Sequence, residues 1–500
     1  VSSASVGPVH PEGTALSFQK RMFFVNPASN LNQQSFLRFI NRNAQAVDVE
    51  LQAIDDDGQP APLGDVTFTL GANRALQVTS QDLELGNTGK GLSGRFGAGL
   101  GKWQIKINTS APIDAMSLIR TPDGFVTNLS DTVPKPAPGE YAAYFANPAS
   151  NPNQQTFLRV VNRSRQSGTV MVSGIDENGA MAPGGDLSFT LEPLQAVQFT
   201  ASDLELGNPA KGLAGALGDG AGKWWLSVFS PLSLEVMSLI RTPDGFLTSL
   251  SATAPRAATD VDADKLVLVA NPADETQQET FIRIVNPSAQ AGTVILSAID
   301  DSGQRPTPPT AWFDIGAFQS KQFNATDLEM GNPAKGLSGG FGDGVGRWQI
   351  TVTSLLPLEV QNLIRTPDGF VTNLSERAPR PSSRVIEVPM LNPGDNANQR
   401  SFLRLINRGN TRGSAMVSAV DDAGQPAPGG SIVVDLAANV AVELSARDME
   451  LGNPGSVQLG AFGKGTGKWR LTIESDVDVE AQALLDTPNG FITNTSRPVR

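Results

Sequence analysis

The chain has 500 residues, room for three or four domains, with 50 Gly, 35 Pro and no Cys. Its formal net charge of −12 excludes the basic surface that nucleic acid demands, and the missing Cys excludes disulfides and thiolate metal sites. No run of 18 apolar residues occurs, so no membrane-spanning helix is expected.

The first stretch, "VSSASVGPVHPEGTALSFQK", lacks the charged and apolar regions of a signal peptide, and residues 1–19 are expected to form an N-terminal tail. It holds His10, the one histidine of the chain, which leaves little for imidazole-based catalysis or metal binding. After the tail, apolar and polar residues alternate. "MFFVN" and "SFLRFIN" come first, then "VDVELQAI", where Val47, Val49, Leu51 and Ala53 share one face. "VTFTL" and "ALQVTS" follow, and a helical turn is expected after Asp82 in "DLELGN", with the Asp as its N-cap. "WQIKIN", "DAMSLIR" and "FVTNLS" complete the set, the last two joined by the hairpin "TPDG". A period of two marks strands with one buried face. About eight such strands make two antiparallel sheets packed face to face, an immunoglobulin-like β-sandwich.

The whole pattern then returns. Its opening Asn-Pro recurs at Asn26, Asn147, Asn271 and Asn392, with Trp103, Trp224, Trp348 and Trp469 always 77 residues later. From Asn26 to Arg120 the four copies align without insertion. A spacing near 120 residues is a domain rather than a solenoid repeat. The expected units are residues 20–131, 141–252, 264–376 and 385–497, joined by Pro-rich spacers such as "DTVPKPAPGE" and "ERAPRPSSR". Spacers of this kind are extended and semi-rigid, so the expected fold class is all-β, four tandem sandwiches in an elongated array. The final "SRPVR" reads as the beginning of one more spacer.

Motifs that suggest chemistry have plainer explanations. "GAGLGKW", "GDGAGKW", "GDGVGRW" and "GKGTGKW" resemble phosphate loops, but Phe96, Leu217, Phe341 and Phe462 stand where the first Gly of a P-loop belongs. They read as turns into a strand. "AIDDDGQPAPLGD" and its equivalents carry adjacent acids, not the alternating acids of an EF-hand loop, and read as Asp/Gly turns with calcium left open. The recurring tryptophans open alternating strands and are assigned to the core.

Two sets of charged residues are candidate sites. Arg38, Arg159, Arg283 and Arg404 share a strand face with apolar residues and need a charged partner if buried. Asp114, Glu235, Glu359 and Glu480 recur in step with them, so four structural ion pairs are expected. In "SLIRTPDGF" and its copies, Arg120, Arg241 and Arg365 are replaced by Asp486 in the fourth copy. That exchange suggests an inter-domain role, the arginines reaching the following linker or domain, which the fourth copy lacks.

Taken together, "FLR-x-x-N", "DLELGNP-x-KGL", "GDG-x-GKW" and "LIRTPDGF-x-T-x-LS" resemble tandem immunoglobulin-like repeats of large secreted or surface proteins of Gram-negative bacteria, over residues 20–496. The resemblance implies an extracellular or cell-surface location and brings no catalytic residues. The expected function is therefore non-enzymatic and structural or adhesive: a stalk, surface-layer or filament component, or the spacer of a larger exoprotein. Its partners would be itself, other surface proteins or polysaccharide, with no cofactor. The alternative is a multivalent module with carbohydrate- or calcium-dependent sites.

Overall fold

A computed structural model describes residues 16–256, 264–453 and 458–499. The tail expected over residues 1–19 lies mostly outside them, but Phe18 and Gln19 already belong to a strand. The first copy contains β1 (Phe18–Val25), β2 (Gln34–Ile40), β3 (Val47–Ile54), β4 (Val66–Leu70), β5 (Ala75–Thr79), α1 (Ser80–Leu85), β6 (Trp103–Thr109), β7 (Asp114–Arg120) and β8 (Val126–Asn128). One sheet has the order β1-β6-β3-β4 and the other β5-β2-β7-β8, all antiparallel. The other three copies repeat both orders, and the fourth adds a two-residue strand, Gln458–Leu459, to its first sheet.

The protein is all-β, as expected. The strand order differs from the immunoglobulin pattern of ABED on CFG, because β6 rather than β2 pairs with β1. The inward residues of both sheets meet in one core per copy. In the first copy Val47, Val49, Leu51, Ile105 and Ile107 from one sheet pack on Leu37, Phe39, Val78 and Ala115 from the other.

The helical turn begins earlier than the sequence suggests. Thr79 is the N-cap, and Asp82 sits three residues on in a reciprocal capping box: each side chain binds the other residue's backbone N–H. Thr200 and Asp203 repeat this, as do Asn324 and Asp327. Trp103 is buried as assigned, its Nε1 donating to Glu84 Oε1 at 2.8 Å. Its ring lies where a Cβ on Gly99 would fall, 2.3 Å from the nearest ring atom, which is why the loop before each Trp needs that Gly.

The elongated array is not what forms. The segment after each sandwich enters the core of the next: Val133 in the second, Ala254 in the third, Ala378 in the fourth. Val499 then packs in the core of the first copy, and its N–H donates to Ala115 O at 2.7 Å. The same bond runs from Val133 to Val236, Ala254 to Val360 and Ala378 to Ala481. So the spacers are parts of the neighbouring sandwich, and "SRPVR" does in the first copy what the other spacers do in theirs. Head-to-tail contacts that return to their origin make a closed ring. Four sandwiches stand in a cycle with four-fold pseudosymmetry.

Candidate functional site: the joints between repeats

The acid-rich turns build the joints. Asp55 holds its own turn, accepting the N–H of Asp57 and of Gln59, and it binds the glycine loop through Leu100 N–H. Asp56 points the other way. It accepts Lys102 N–H at 2.9 Å and receives Arg159 Nη2 of the second copy at 2.7 Å. Glu177 receives Arg283 at 3.0 Å, Asp301 receives Arg404 at 2.5 Å, and Asp422 receives Arg38 at 2.7 Å, which closes the ring. Both carboxylates of each pair are therefore engaged. Among the described residues no group of three or more His, Cys, Asp or Glu stands together as a metal-binding set.

The expected pairings within a copy are not made. Arg38 lies opposite Met116 in β7, while Asp114 lies opposite Ile40, towards the far end of the strand. Asp114 instead binds Arg42 at 2.9 Å, Glu235 binds Arg163 at 2.6 Å, Glu359 binds Lys265 at 2.7 Å, and Glu480 binds Arg377 and Arg380. Arg38, Arg159, Arg283 and Arg404 are wholly buried, but beneath the preceding repeat. Three of them also donate Nε to a backbone carbonyl there: Arg159 to Phe23, Arg283 to Tyr144 and Arg404 to Leu268. The joint closing the ring lacks that bond. There Arg470 donates to Asn41 O and Asn73 O at 2.8 and 2.7 Å.

Arg120, Arg241 and Arg365 do not bridge to a following linker or domain either. Their hydrogen bonds stay within their own copies, to Gln34, Gln155 and Glu279 across the β2–β7 pair and its equivalents. Each guanidinium lies over a Phe of its own copy, Phe36, Phe157 or Phe281, 4.6–4.9 Å from the ring centre. Arg120 and Arg365 line clefts against the preceding repeat, while Arg241 lines one within its own copy, with Pro148, Gln155 and Ser202. At the fourth-to-first joint, Arg120 shares a cleft of about 70 Å³ with Lys468, Met390 and Gln399. Between the second and third copies, the equivalent cleft of about 660 Å³ holds Arg365, Lys223, Phe145 and Gln154.

Four phenylalanines that carried no weight in the sequence meet at the centre. Phe125, Phe246, Phe370 and Phe491, one per hairpin, form a single cluster with neighbouring centroids 4.3–4.8 Å apart. Such edge-on contacts each contribute about 0.5–1.5 kcal/mol beyond area burial. Beside them lies a small chamber lined by Thr127, Thr248, Thr372 and Thr493. Thr127 donates to Leu247 O and Thr248 to Val371 O, so adjacent repeats are also bonded around the centre. Only the recurrence of Phe after every "TP-x-G" signalled this, since one Phe per copy looks like an ordinary strand opening.

Register brings the acid turn, α1, the glycine loop and the hairpin to one end of each sandwich, since Val25 faces Trp103, Ile54 faces Gln104, Phe36 faces Thr79 and Gln34 faces Arg120. Cyclic pseudosymmetry sets the four copies of this end at one level of the ring. Here Leu85, Leu206, Met330 and Leu451, the last residues of the four short helices, are 63–77% exposed.

No family model matches the sequence, and no curated protein does. Among solved structures, a glycoside hydrolase family 32 structure from Bifidobacterium adolescentis aligns with 96% of this chain and 100% of its own, at 8% identity and a TM-score of 0.13. A likeness that slight carries no argument about fold or function.

Proposed function

We propose that the chain is a non-enzymatic structural or adhesive module of the cell surface or extracellular space, acting as a rigid ring that associates through its hairpin end. The observation that carries the reading is the fourfold exposure of one apolar side chain: Leu85, Leu206, Met330 and Leu451. Core and joints alone do not require a large apolar residue in water at the same place in every copy. A partner with matching fourfold symmetry engages all four at once, and a second copy of the ring has that symmetry. The resemblance of the motif set to tandem repeats of secreted surface proteins supports the location.

Sedimentation velocity of the full chain against the quadruple variant L85S/L206S/M330S/L451S tests this. The parent should associate as concentration rises while the variant stays monomeric. A parent that is monomeric throughout, or a variant that associates equally well, contradicts the reading.

A further inference from the structure

The clefts at the joints differ in charge in a way that points to a ligand. Each pairs a cation ahead of the recurring Trp with the residue ending the β7 strand of the following copy. Lys468 and Arg120 share the fourth-to-first cleft, and Lys223 and Arg365 the second-to-third. By the same repeat positions, Lys102 and Arg241 are the pair at the first-to-second joint, where burial first and then nearby arginines, Arg241 among them, depress the lysine. The fourth of these positions, between the third and fourth copies, has Arg347 and Asp486.

Two of the four clefts neutralise themselves. Asp486 binds Arg400 at 2.7 Å and feels the charge of Arg347, which is itself paired with Glu443. Lys223 stands 3.8 Å from Glu177, and Arg365 binds Glu279. The other two do not. Arg120 and Arg241 have only uncharged partners, the amides of Gln34 and Gln155 and the rings of Phe36 and Phe157. Neither Lys102 nor Lys468 has a carboxylate within ion-pair distance among the described residues, although burial and a neighbouring arginine depress both. The nearby acids, Asp56 and Asp422, are taken up by the buried Arg159 and Arg38, so in a protein with twelve surplus negative charges each pair of like cations calls for an outside counter-charge. The third-to-fourth joint shows what satisfies the position, for there the chain supplies its own carboxylate.

We infer that the clefts on either side of the first repeat, Lys102 with Arg241 and Lys468 with Arg120, each bind one oxyanion, a carboxylate or sulfate group, whereas the other two bind none. The arginine offers its planar donors to the oxyanion and the lysine a point charge. In the closing joint, Asn392, Gln77 and Gln399 line the same cleft, so the two cations are its charged donors.

Equilibrium dialysis of the full chain with labelled sulfate at low ionic strength tests the inference. Two sulfates per chain are expected, one in K102M, one in K468M and none in the double variant, with K223M still binding two. A melting temperature in K102M and K468M no lower than the parent's separates loss of a site from loss of fold. A sulfated oligosaccharide that displaces the label at least tenfold more effectively, sulfate for sulfate, places the oxyanion on a polymer spanning both clefts; equal displacement makes it a free ion. No sulfate bound, four bound, or a number unchanged in the double variant overturns the inference.

Discussion

Arg400 donates to Asp486 at 2.7 Å, across the strand pair where the first two copies join Gln34 to Arg120 and Gln155 to Arg241. The fourth copy has thus exchanged both members of the pair. Its acid is a compensated swap rather than a released constraint. Replacing Asp486 alone by Arg sets it against Arg400 and Arg347, so D486R should lose up to about 1 kcal/mol, the scale of a half-exposed pair. Adding R400Q should recover most of that. Chemical denaturation of both variants checks it, and a D486R loss that R400Q leaves in place would show that the two positions are not coupled.

The joint arginines are buried charges that each repeat satisfies from its neighbour. Arg159 is wholly buried and holds both Asp56 and Phe23 O. R159A should cost about 3–5 kcal/mol, since it strands a carboxylate and a carbonyl under the neighbouring repeat. D56N keeps an acceptor in place and should cost less, about 1.5–3 kcal/mol. Thermal melting of both gives the order. A milder loss in R159A than in D56N would contradict the assigned roles.

Closure through the C-terminal segment is separately testable. Val499 is buried in the first core beside β7, and Lys20 Nζ binds its carbonyl at 2.7 Å. V499D should remove roughly 1.5–3 kcal/mol of apolar burial and add the cost of an unpaired acid. Hydrogen exchange should then quicken first at β7 and at the fourth-to-first joint. Uniform exchange across all four copies would mean that closure adds nothing local.

Lys102 sets a pH dependence. Burial first, then repulsion from Arg159, lowers it to about 8 from an ordinary 10.5. Below about 8 the folded and unfolded chains both hold this proton, and the folded state bears the whole penalty. Between about 8 and 10.5 the unfolded chain holds more protons, so this group makes stability rise with pH. K102M should melt higher than the parent near pH 7, with the difference shrinking towards pH 10.5. A K102M that melts lower at neutral pH would show the ammonium to be stabilising.

Copy number, strand positions and the buried tryptophans were open to reading because they rest on local period and spacing. The ring was not, since a repeated domain has the same inward pattern in a rod as in a cycle. The information lay in residues that face outward. In "SFLRFI" and "AMSLI" the alternation fails: Phe36, Met116 and Leu118 are apolar on the face a free-standing sandwich would wet, and all three pack against Met390 and Leu485 of the fourth copy. The partner of Arg38 was hidden for the same reason. Spacing within a copy offers Asp114 just as regularly as Asp422, and only the fold says which repeat lies above β2.

Small-angle X-ray scattering of the full chain decides the central claim. A compact chain of this length has a radius of gyration of about 23–26 Å, whereas four such sandwiches in a row give roughly 40 Å. The closed ring predicts the smaller value, with a distance distribution that falls to zero without a long tail. A value near 40 Å with an extended tail would contradict closure and restore the elongated array.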